Sequence, residues 1–354
     1  MIDKMDISHF RGIEKLNLNE MKRISVLSGK NNVGKTTVLE SLFFLFDHSD
    51  PNPFAPLNAF RGSALGGPVH FWEPLFYQMD VTQPINISVY ENGVKTEMTL
   101  QKDDNYLPYR AEGVPDEVLA RFRTSTRGTY SLKFKYISGE YLEEGHFCAD
   151  GDNVLREVKT NQLGNEQQAG KHARYLHASM ARISDFIGEE IGKLELSGRK
   201  HEIIEILQYL DPTIEDITMI TRQGVTQLYT RIRNQWIPLQ YAGDGVLKLL
   251  NICFTIMEQE KGLVLIDEID SGLHYSMYRR IWEIIGKYSK EKDCQLVVTT
   301  HNKEMIEALL ETKAEIQNET NIYTLYKKED KTLTRKMSAK EAEKAIDYLG
   351  MELR

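Results

Sequence analysis

GKNNVGKT, residues 29–36, fits the phosphate-binding loop pattern G-x-x-x-x-G-K-[ST] at every required position. The apolar run Ile24–Ser28 before it predicts a buried strand, and the apolar-periodic residues 37–46 after it predict a helix. In such a strand, loop and helix start, consecutive backbone N–H groups converge on phosphate oxygens, and the helix N-terminus adds partial positive charge. The pattern predicts a nucleoside triphosphate site; the alternative is a chance glycine-rich turn.

The residue types in this loop each suit a part of the triphosphate. Gly29 and Gly34 allow the tight backbone turn. Lys35 is expected on the β- and γ-phosphates, and the Thr36 hydroxyl is expected on Mg²⁺. The other positions that we assign to nucleotide binding are Asn31, Asn32 and Thr37. The loop therefore predicts a triphosphate bound together with Mg²⁺ as cofactor.

A second motif lies in the C-terminal half of the chain. Residues 262–268, GLVLIDE, form an apolar run that ends in two carboxylates, which is the Walker B pattern. A strand buried on both faces is apolar throughout, and ligands bind at the carboxyl ends of strands in open α/β sheets. We expect Asp267 to hold Mg²⁺, usually through a water, and Glu268 to polarise the attacking water. Together with the phosphate loop, the acidic pair predicts triphosphate hydrolysis.

A third apolar strand, residues 294–300, is followed by His301. A polar side chain at the end of such a strand is placed to sense the γ-phosphate, and we assign His301 to catalysis on that ground. The alternative is a histidine that caps the loop.

The composition restricts the class of protein. The chain has 354 residues, of which 41% are hydrophobic and 27% charged, and no apolar run approaches the ~20 residues that span a membrane. The N-terminus shows neither a basic leader nor an apolar signal core, and three scattered cysteines suit a reducing compartment, so we expect a cytoplasmic protein. The net charge of −8 argues weakly against direct binding to DNA.

The middle of the chain mixes strand and helix patterns. Alternating runs around Asn92-Gly93 predict a β-hairpin over residues 84–103, and residues 130–137 predict another strand. The polar, glutamine-rich residues 152–170 predict a flexible segment, and helical patterning occupies residues 171–210. The remaining predictions are strands at 214–220 and 226–233 and a buried helix after Gly245.

The nucleotide motifs thus lie towards both ends of the chain. We expect a single head over residues 1–354, whose nucleotide site is assembled from 1–50 and 235–305. The intervening part, about 51–235, would be an inserted β-hairpin and helical lobe, and 306–354 a closing strand and helix segment.

These motifs resemble the ABC-type ATPase heads of the SMC, RecF and OLD (overcoming lysogenization defect) families. Residues 7–13, ISHFRGI, resemble the family's entry segment, whose arginine lies near the nucleotide, so the resemblance assigns Arg11 to the site. Residues 29–42, GKNNVGKTTVLESL, are similar to the family's phosphate loop. Residues 267–274, DEIDSGLH, resemble the OLD-like subgroup, and residues 299–302, TTHN, resemble the switch-histidine loop.

The resemblance implies an α/β fold, a P-loop NTPase of ABC-ATPase type. It implies a mixed central sheet, an N-terminal antiparallel β subdomain and an inserted helical lobe. It also implies that the nucleotide is ATP. Nothing after His301 resembles the Toprim nuclease of full-length OLD proteins, so the resemblance is to a stand-alone ATPase.

The signature loop is the weakest part of the match. Residues 242–245, AGDG, occupy its place, where the family clamps the γ-phosphate of the opposite protomer, normally with a serine. Ala242 stands in the serine's place, and we assign Gly243 and Gly245 to binding through backbone amides. The alternative is a turn before a core helix. Gln78 is a candidate Q-loop residue or core packing, and His274 lies at a dimer interface or caps a helix.

Three functions follow from these features. The first is an ATPase that forms an ATP-dependent homodimer or larger assembly and controls a separate effector, a nuclease or toxin, in anti-phage defence or DNA maintenance. The second is a RecF-like repair ATPase that binds DNA directly. The third is a nucleotide-bound scaffold that scarcely hydrolyses, suggested by the altered signature loop.

Overall fold

The computed structural model describes residues 1–47, 72–103, 105–106, 130–150, 153–162, 172–177, 184–222, 225–241 and 244–349. Its strands are β1 Ile2–Phe10, β2 Ile13–Asn19, β3 Ile24–Ser28, β4 Ile85–Glu91, β5 Val94–Lys102, β6 Tyr130–Ser138, β7 Tyr141–Asp150, β8 Asn153–Gln162, β9 Ala173–Leu176, β10 Ile214–Arg222, β11 Val225–Ile232, β12 Gln235–Pro238, β13 Leu263–Ile266, β14 Gln295–Thr299, β15 Thr320–Lys328 and β16 Lys331–Ser338. Its α-helices are α1 Lys35–Phe46, α2 Ser184–Leu196, α3 Lys200–Leu210, α4 Asp244–Glu258, α5 Tyr278–Glu291, α6 Lys303–Leu310, α7 Ala314–Asn318 and α8 Ala339–Leu349. None of the helices in these ranges is long and apolar enough to cross a membrane.

The chain forms two compact units that alternate along the sequence. Unit 1 takes its described residues from Met1–Lys22, Gly29–Ala173 and Tyr323–Lys336. Unit 2 takes its described residues from Arg23–Ser28, Arg174–Ile322 and Met337–Arg354. The chain therefore enters unit 2 briefly for β3, returns to unit 1 with the residue after it, and changes unit again within β9, β15 and β16.

Unit 1 is organised by a seven-stranded antiparallel sheet with the order β2-β1-β4-β5-β6-β7-β8. Its strands alternate apolar and polar residues, as in β1, where Met5 and Ile7 are buried and their neighbours less so. This alternation is expected when one face of a sheet is covered and the other is solvated. Helix α1 packs on the apolar face, where the ring centroids of Phe44 and Phe147 lie 5.9 Å apart.

Unit 2 contains the strands β3, β14 and β13, which are consecutive neighbours in a sheet with the order β16-β15-β3-β14-β13-β9. Strands β3, β14 and β13 are parallel to one another. Every residue of these three strands is buried, as expected for parallel strands covered on both faces. Helix α4 contributes to two hydrophobic clusters of this unit, one with Leu249 and Ile256 and another with Leu250 and Phe254. A small antiparallel sheet, β10-β11-β12, belongs to the same unit.

Most predicted elements are found, and the α/β class is confirmed. The hairpin around Asn92-Gly93 is β4 and β5, and the strands that flank the two nucleotide motifs are β3, β13 and β14. The helix after the phosphate loop begins two residues earlier than predicted, at Lys35.

Two local predictions are wrong. The segment 152–170 was expected to be flexible, but Asn153–Gln162 is a strand that pairs with β7, with Cys148 opposite Leu155, and residues 163–170 lie outside the described residues. Residues 171–210 were expected to be helical throughout, but Ala173–Leu176 is a strand at the edge of the unit 2 sheet, and the helices begin at Ser184. Both strands depend on a neighbouring strand for their backbone hydrogen bonds, which local periodicity does not reveal.

Arg23 joins several chain segments of unit 2 at the start of β3. Its guanidinium pairs with Glu319 at 2.8 Å and with Asp293 at 3.0 Å. The same group donates to the carbonyl oxygens of Ser289 and Cys294 at 3.1 and 3.2 Å. The fork of a guanidinium can reach these acceptors together, whereas an ammonium cannot.

We therefore predict that Arg23→Ala lowers the free energy of unfolding by about 1–3 kcal/mol, because buried carbonyls lose their donor. Urea denaturation would measure the loss. Arg23→Lys is the control, since it keeps the charge and should recover only part of the stability. Equal stability of all three proteins would contradict this role for Arg23.

Candidate functional site

The carboxyl ends of three parallel strands of unit 2 meet at one edge of the sheet. Ile266, the last residue of β13, pairs with Val298 of β14. Thr299, the last residue of β14, pairs with Leu27 of β3, whose carbonyl accepts from the Thr300 N–H at 3.0 Å. The chain that leaves β3 at this edge continues as GKNNVGKT, and the chain that leaves β13 continues as Asp267 and Glu268.

The Thr299 hydroxyl organises the two carboxylate residues. It donates to Asp267 Oδ1 at 2.6 Å and accepts from the backbone N–H of Glu268 at 2.8 Å. Asp267 is 4% exposed, so its carboxylate is largely shielded from water. Threonine is one of the few side chains that donate and accept at the same oxygen. The hydroxyl therefore orients the Asp267 carboxylate and the Glu268 backbone together.

Glu268 has an uncommon backbone conformation. Its φ is 47°, in the left-handed region that non-glycine residues rarely adopt. Its carbonyl accepts from the ammonium of Lys248 at 2.5 Å. Burial lowers the pKa of Lys248 to about 8. The nearby carboxylates of Asp270, Glu268 and Asp267 raise this pKa, but by less than burial lowers it.

His177 is a residue that the sequence analysis did not select. It follows β9, and its Nε2 lies 3.9 Å from Asp267 Oδ2. The backbone N–H of Asp267 donates to the carbonyl of Leu176 at 2.9 Å, which fixes this segment beside the end of β13. No metal-ligand spacing pointed to His177. The only available signal was its position after a short apolar run, which was interpreted as the start of a helix.

The three residues that follow β14 have different surroundings. Thr300 donates through its hydroxyl to Asp270 Oδ1 at 2.5 Å. Asn302 caps α6, since its side chain accepts from the Glu304 N–H at 2.8 Å. His301 is exposed at the end of β14 and does not cap the helix. Its predicted role towards the γ-phosphate stays a prediction.

The phosphate loop belongs to unit 1 and requires glycine at its start. Gly29 has a φ of 136°, and a Cβ there would lie 2.3 Å from the carbonyl oxygen of Leu325. Gly34 has a φ of 105° and precedes α1, whose first amides receive no side-chain cap. Lys35 folds back over the loop and donates to the carbonyls of Gly29 and Lys30 at 2.7 and 2.8 Å.

The other predicted loop residues differ in exposure. Asn31 and Asn32 are exposed, and Asn32 has a left-handed φ of 64°. Thr36 is partly exposed in the first turn of α1, whereas Thr37 is 6% exposed. At the start of α1 the Thr36 side chain is therefore accessible to solvent, whereas the Thr37 side chain is buried.

Arg11 has a structural partner inside unit 1. Its Nε lies 2.9 Å from Glu40 Oε2 of α1, and both side chains are buried. A buried charge needs such a partner. The structure therefore gives Arg11 a role in fixing α1, and its predicted proximity to nucleotide stays a prediction.

The signature-loop prediction falls partly outside the described residues, which exclude Ala242 and Gly243. Gly245 lies in the first turn of α4, where a Cβ would be 3.3 Å from the carbonyl oxygen of Gly272. His274 caps a short 3-10 helix, as its ring accepts from the Ser276 N–H. Gln78 is exposed in unit 1 and is not part of a core.

Comparisons with known proteins agree with this fold. An "AAA ATPase domain" profile matches residues 1–106, and a profile described as "AAA domain, putative AbiEii toxin, Type IV TA system" matches residues 171–307. A relative from Helicobacter pylori, described as an ATP/GTP phosphatase, is 20% identical over 327 residues and covers 87% of each chain.

Two solved structures of SMC head domains resemble the chain over nearly its whole length. A head bound to the C-winged helix domain of ScpA has a TM-score of 0.52 and 13% identity, covering 97% of this chain and 99% of that one. A head with an extended coiled coil, bound to the C-terminal domain of ScpA from Pyrococcus furiosus, has a TM-score of 0.52 and 12% identity, covering 99% of both. The profile matches indicate AAA ATPase domains, and the structural likeness shows that the chain shares the fold of SMC heads.

We predict that Gly29→Ala lowers stability more than Gly93→Ala does. Both positions have a positive φ, which costs alanine about 1–2 kcal/mol in the left-handed region. A Cβ at Gly93 would meet nothing within 4 Å, whereas one at Gly29 would overlap a carbonyl oxygen. The difference in melting temperature between the two variants measures the effect of the overlap between the new Cβ and the Leu325 carbonyl oxygen. Equal melting temperatures would show that the loop moves to avoid this overlap.

We also predict that Thr299→Val lowers the free energy of unfolding by about 1–3 kcal/mol, because Asp267 and the Glu268 N–H lose a buried partner. The change keeps the volume and removes only the hydroxyl. Thr299→Ser is the matched control, which keeps the hydroxyl and should lie closer to the unchanged protein. Denaturant unfolding measures both, and a valine variant as stable as the serine variant would count against the bridge.

Proposed function

We propose that this chain is a Mg²⁺-dependent ATPase of the OLD-like group that dimerises on ATP and thereby controls a separate effector protein. The observation that carries the proposal is the Thr299 bridge. It organises Asp267 and Glu268 at the sheet edge from which the loop GKNNVGKT departs. In parallel α/β sheets this edge is where ligands bind.

The phosphate loop has the features that a triphosphate needs. A Cβ at Gly29 would overlap the carbonyl oxygen of Leu325, so the loop requires glycine at its start. The N-cap of α1 is Gly34, which has no side chain to cap the helix, and a helix N-terminus favours phosphate oxygens. Lys35 already points into the loop, and the phosphates would replace the loop carbonyls as acceptors of its ammonium.

Two oxygen ligands are suited to Mg²⁺. The sequence assigns the Thr36 hydroxyl and the Asp267 carboxylate to Mg²⁺. In the structure Thr36 is partly exposed in unit 1, and Asp267 is buried in unit 2. When bound, Mg²⁺ neutralises charge on the β- and γ-phosphates during transfer to water. The Thr299 hydroxyl donates to Asp267 Oδ1 and so orients the carboxylate that would hold the metal.

Glu268 is the candidate base for the attacking water. Its carboxylate is only partly buried, unlike that of Asp267, so water can reach it. Its backbone φ of 47° lies in the left-handed region, which restricts the orientations that the side chain can adopt. His177, beside Asp267, and His301, after β14, are the two imidazoles suited to hydrogen-bond a γ-phosphate or the water.

The surface around the start of α4 supports self-association. Gly245 packs close to Gly272 and Leu273, so the two segments that the resemblance assigns to a dimer interface are neighbours. Tyr241 and Tyr275, at 74% and 63% exposure, flank these segments. Exposed tyrosines are typical of protein interfaces. We infer that ATP joins two copies through this surface.

Control of a separate effector is supported by the comparisons. The profile that matches residues 171–307 carries the description of an AbiEii-type toxin system, and SMC heads bind ScpA. Within the described residues we find no second catalytic constellation. We therefore propose a role in anti-phage defence or DNA maintenance in which another protein performs the damaging or repairing step.

The test is the light-scattering mass of Glu268→Gln with and without Mg-ATP. This variant should bind ATP without hydrolysing it, and its mass should rise from 40.8 kDa to that of a dimer or larger assembly when ATP is added. Lys35→Ala is the control, since it loses the ammonium that pairs with the phosphates and should stay unchanged. If the mass of Glu268→Gln does not change when ATP is added, ATP-dependent dimerisation is refuted and the nucleotide-bound scaffold is favoured.

A further inference from the structure

Lys248 places a buried ammonium against the backbone of the turn that carries the acidic pair. The side chain is 8% exposed and lies on α4, one turn after the helix begins. It donates to the carbonyls of Glu268 and Ser271 at 2.5 and 2.8 Å. Among the described residues it forms no ion pair, so its hydrogen bonds go to main-chain atoms.

Burying the Lys248 ammonium costs free energy. A buried cation loses its hydration, and main-chain carbonyls compensate for that loss less completely than a carboxylate in contact does. The apolar residues of α4 pack into two hydrophobic clusters, whereas Lys248 is directed at the carbonyls of the turn after β13.

The two hydrogen bonds act on a strained peptide. Glu268 sits at a φ of 47°, which costs a non-glycine residue about 1–2 kcal/mol. Its N–H is held by Thr299 and its carbonyl by Lys248, so both ends of the residue are fixed. The Ser271 N–H donates to the same Glu268 carbonyl at 2.9 Å, which closes the turn. A fixed backbone in turn fixes where the Glu268 carboxylate can point.

The same helix also touches the far end of the turn. A Cβ at Gly245 would lie 3.3 Å from the Gly272 carbonyl oxygen and 3.3 Å from Leu273 Cδ2. Gly245 and Lys248 are three residues apart on α4 and so lie on one face of the helix. A displacement of the helix start is therefore passed to Glu268 through Lys248.

We propose that Lys248 is a positioning residue, which holds Glu268 in place for water activation and couples its position to the start of α4. This inference rests on the proposed function, in which Glu268 is the base. A second copy that displaces the start of α4 would then change the hydrolysis rate without changing ATP affinity.

The first experiment compares steady-state ATP hydrolysis by Lys248→Met and Lys248→Arg with Lys287→Met as the matched control. Lys287 is an exposed lysine of α5 in the same unit. We expect kcat of Lys248→Met to fall about 10- to 100-fold, since misplacing a reacting group has this effect. The KM and the Kd for ATP should change by less than about twofold, and Lys248→Arg should retain more activity. Lys287→Met should behave as the unchanged protein.

A chemical rescue separates positioning from a purely structural role. In Lys248→Ala, 1-propylammonium should restore kcat in a saturable way, whereas 1-propanol of similar size should not. A fall in kcat that both compounds restore equally, or a loss confined to KM, would overturn the proposal. Normal kcat in Lys248→Met would overturn it as well.

Hydrogen exchange provides a readout that does not depend on turnover. Amides of residues 268–273 should exchange faster in Lys248→Met than in Lys287→Met, because the turn loses the ammonium that holds it. Unchanged exchange there would refute the inference even if the protein proved not to hydrolyse ATP. If Glu268→Gln abolishes hydrolysis while Lys248→Met does not, only the inference fails and the proposed function stands.

Discussion

One hydroxyl group determines how the carboxylates at the end of β13 are arranged. Thr299 Oγ1 donates to Asp267 and accepts from Glu268, so the end of β14 and the turn after β13 form one hydrogen-bonded unit. The parallel register of the two strands places that hydroxyl at the correct level, with Ile266 opposite Val298. If the register slipped by one residue, the threonine would face the other side of the sheet. The chemistry proposed for the acidic pair therefore depends on a strand pairing.

The same edge concentrates buried polar groups that satisfy one another. The Asp267 carboxylate accepts from the Thr299 hydroxyl, and the Asp270 carboxylate accepts from the Thr300 hydroxyl. The Lys248 ammonium donates to main-chain carbonyls. Buried polar groups without such partners would destabilise the fold. Helix α4 carries a buried polar strip of Lys248, Asn251 and Thr255, in which the Asn251 amide has no hydrogen-bond partner among the described residues. The strip lies along the helix that begins where the resemblance places the signature loop.

The elements that the sequence predicted well are those with strong local patterns. The strands β3, β13 and β14 are continuous apolar runs, and the phosphate loop is specified by glycines whose conformations other residues resist. The strands β8 and β9 were missed because their local patterns are polar or short, and distant pairing stabilises them. His177 was missed for the same reason, because only the placement of β9 brings it to Asp267.

By itself the sequence determined the α/β class, the phosphate loop with its strand and helix, and the acidic pair, because glycine spacing and buried-strand patterns are local properties. Only the tertiary structure decided which hydroxyl orients Asp267, that Arg11 pairs with Glu40, and that Lys248 holds the Glu268 carbonyl. These contacts join residues that lie far apart in the chain, and many threonines, arginines and lysines have the same local surroundings. Their partners follow from strand register and helix packing, which no single stretch of sequence encodes.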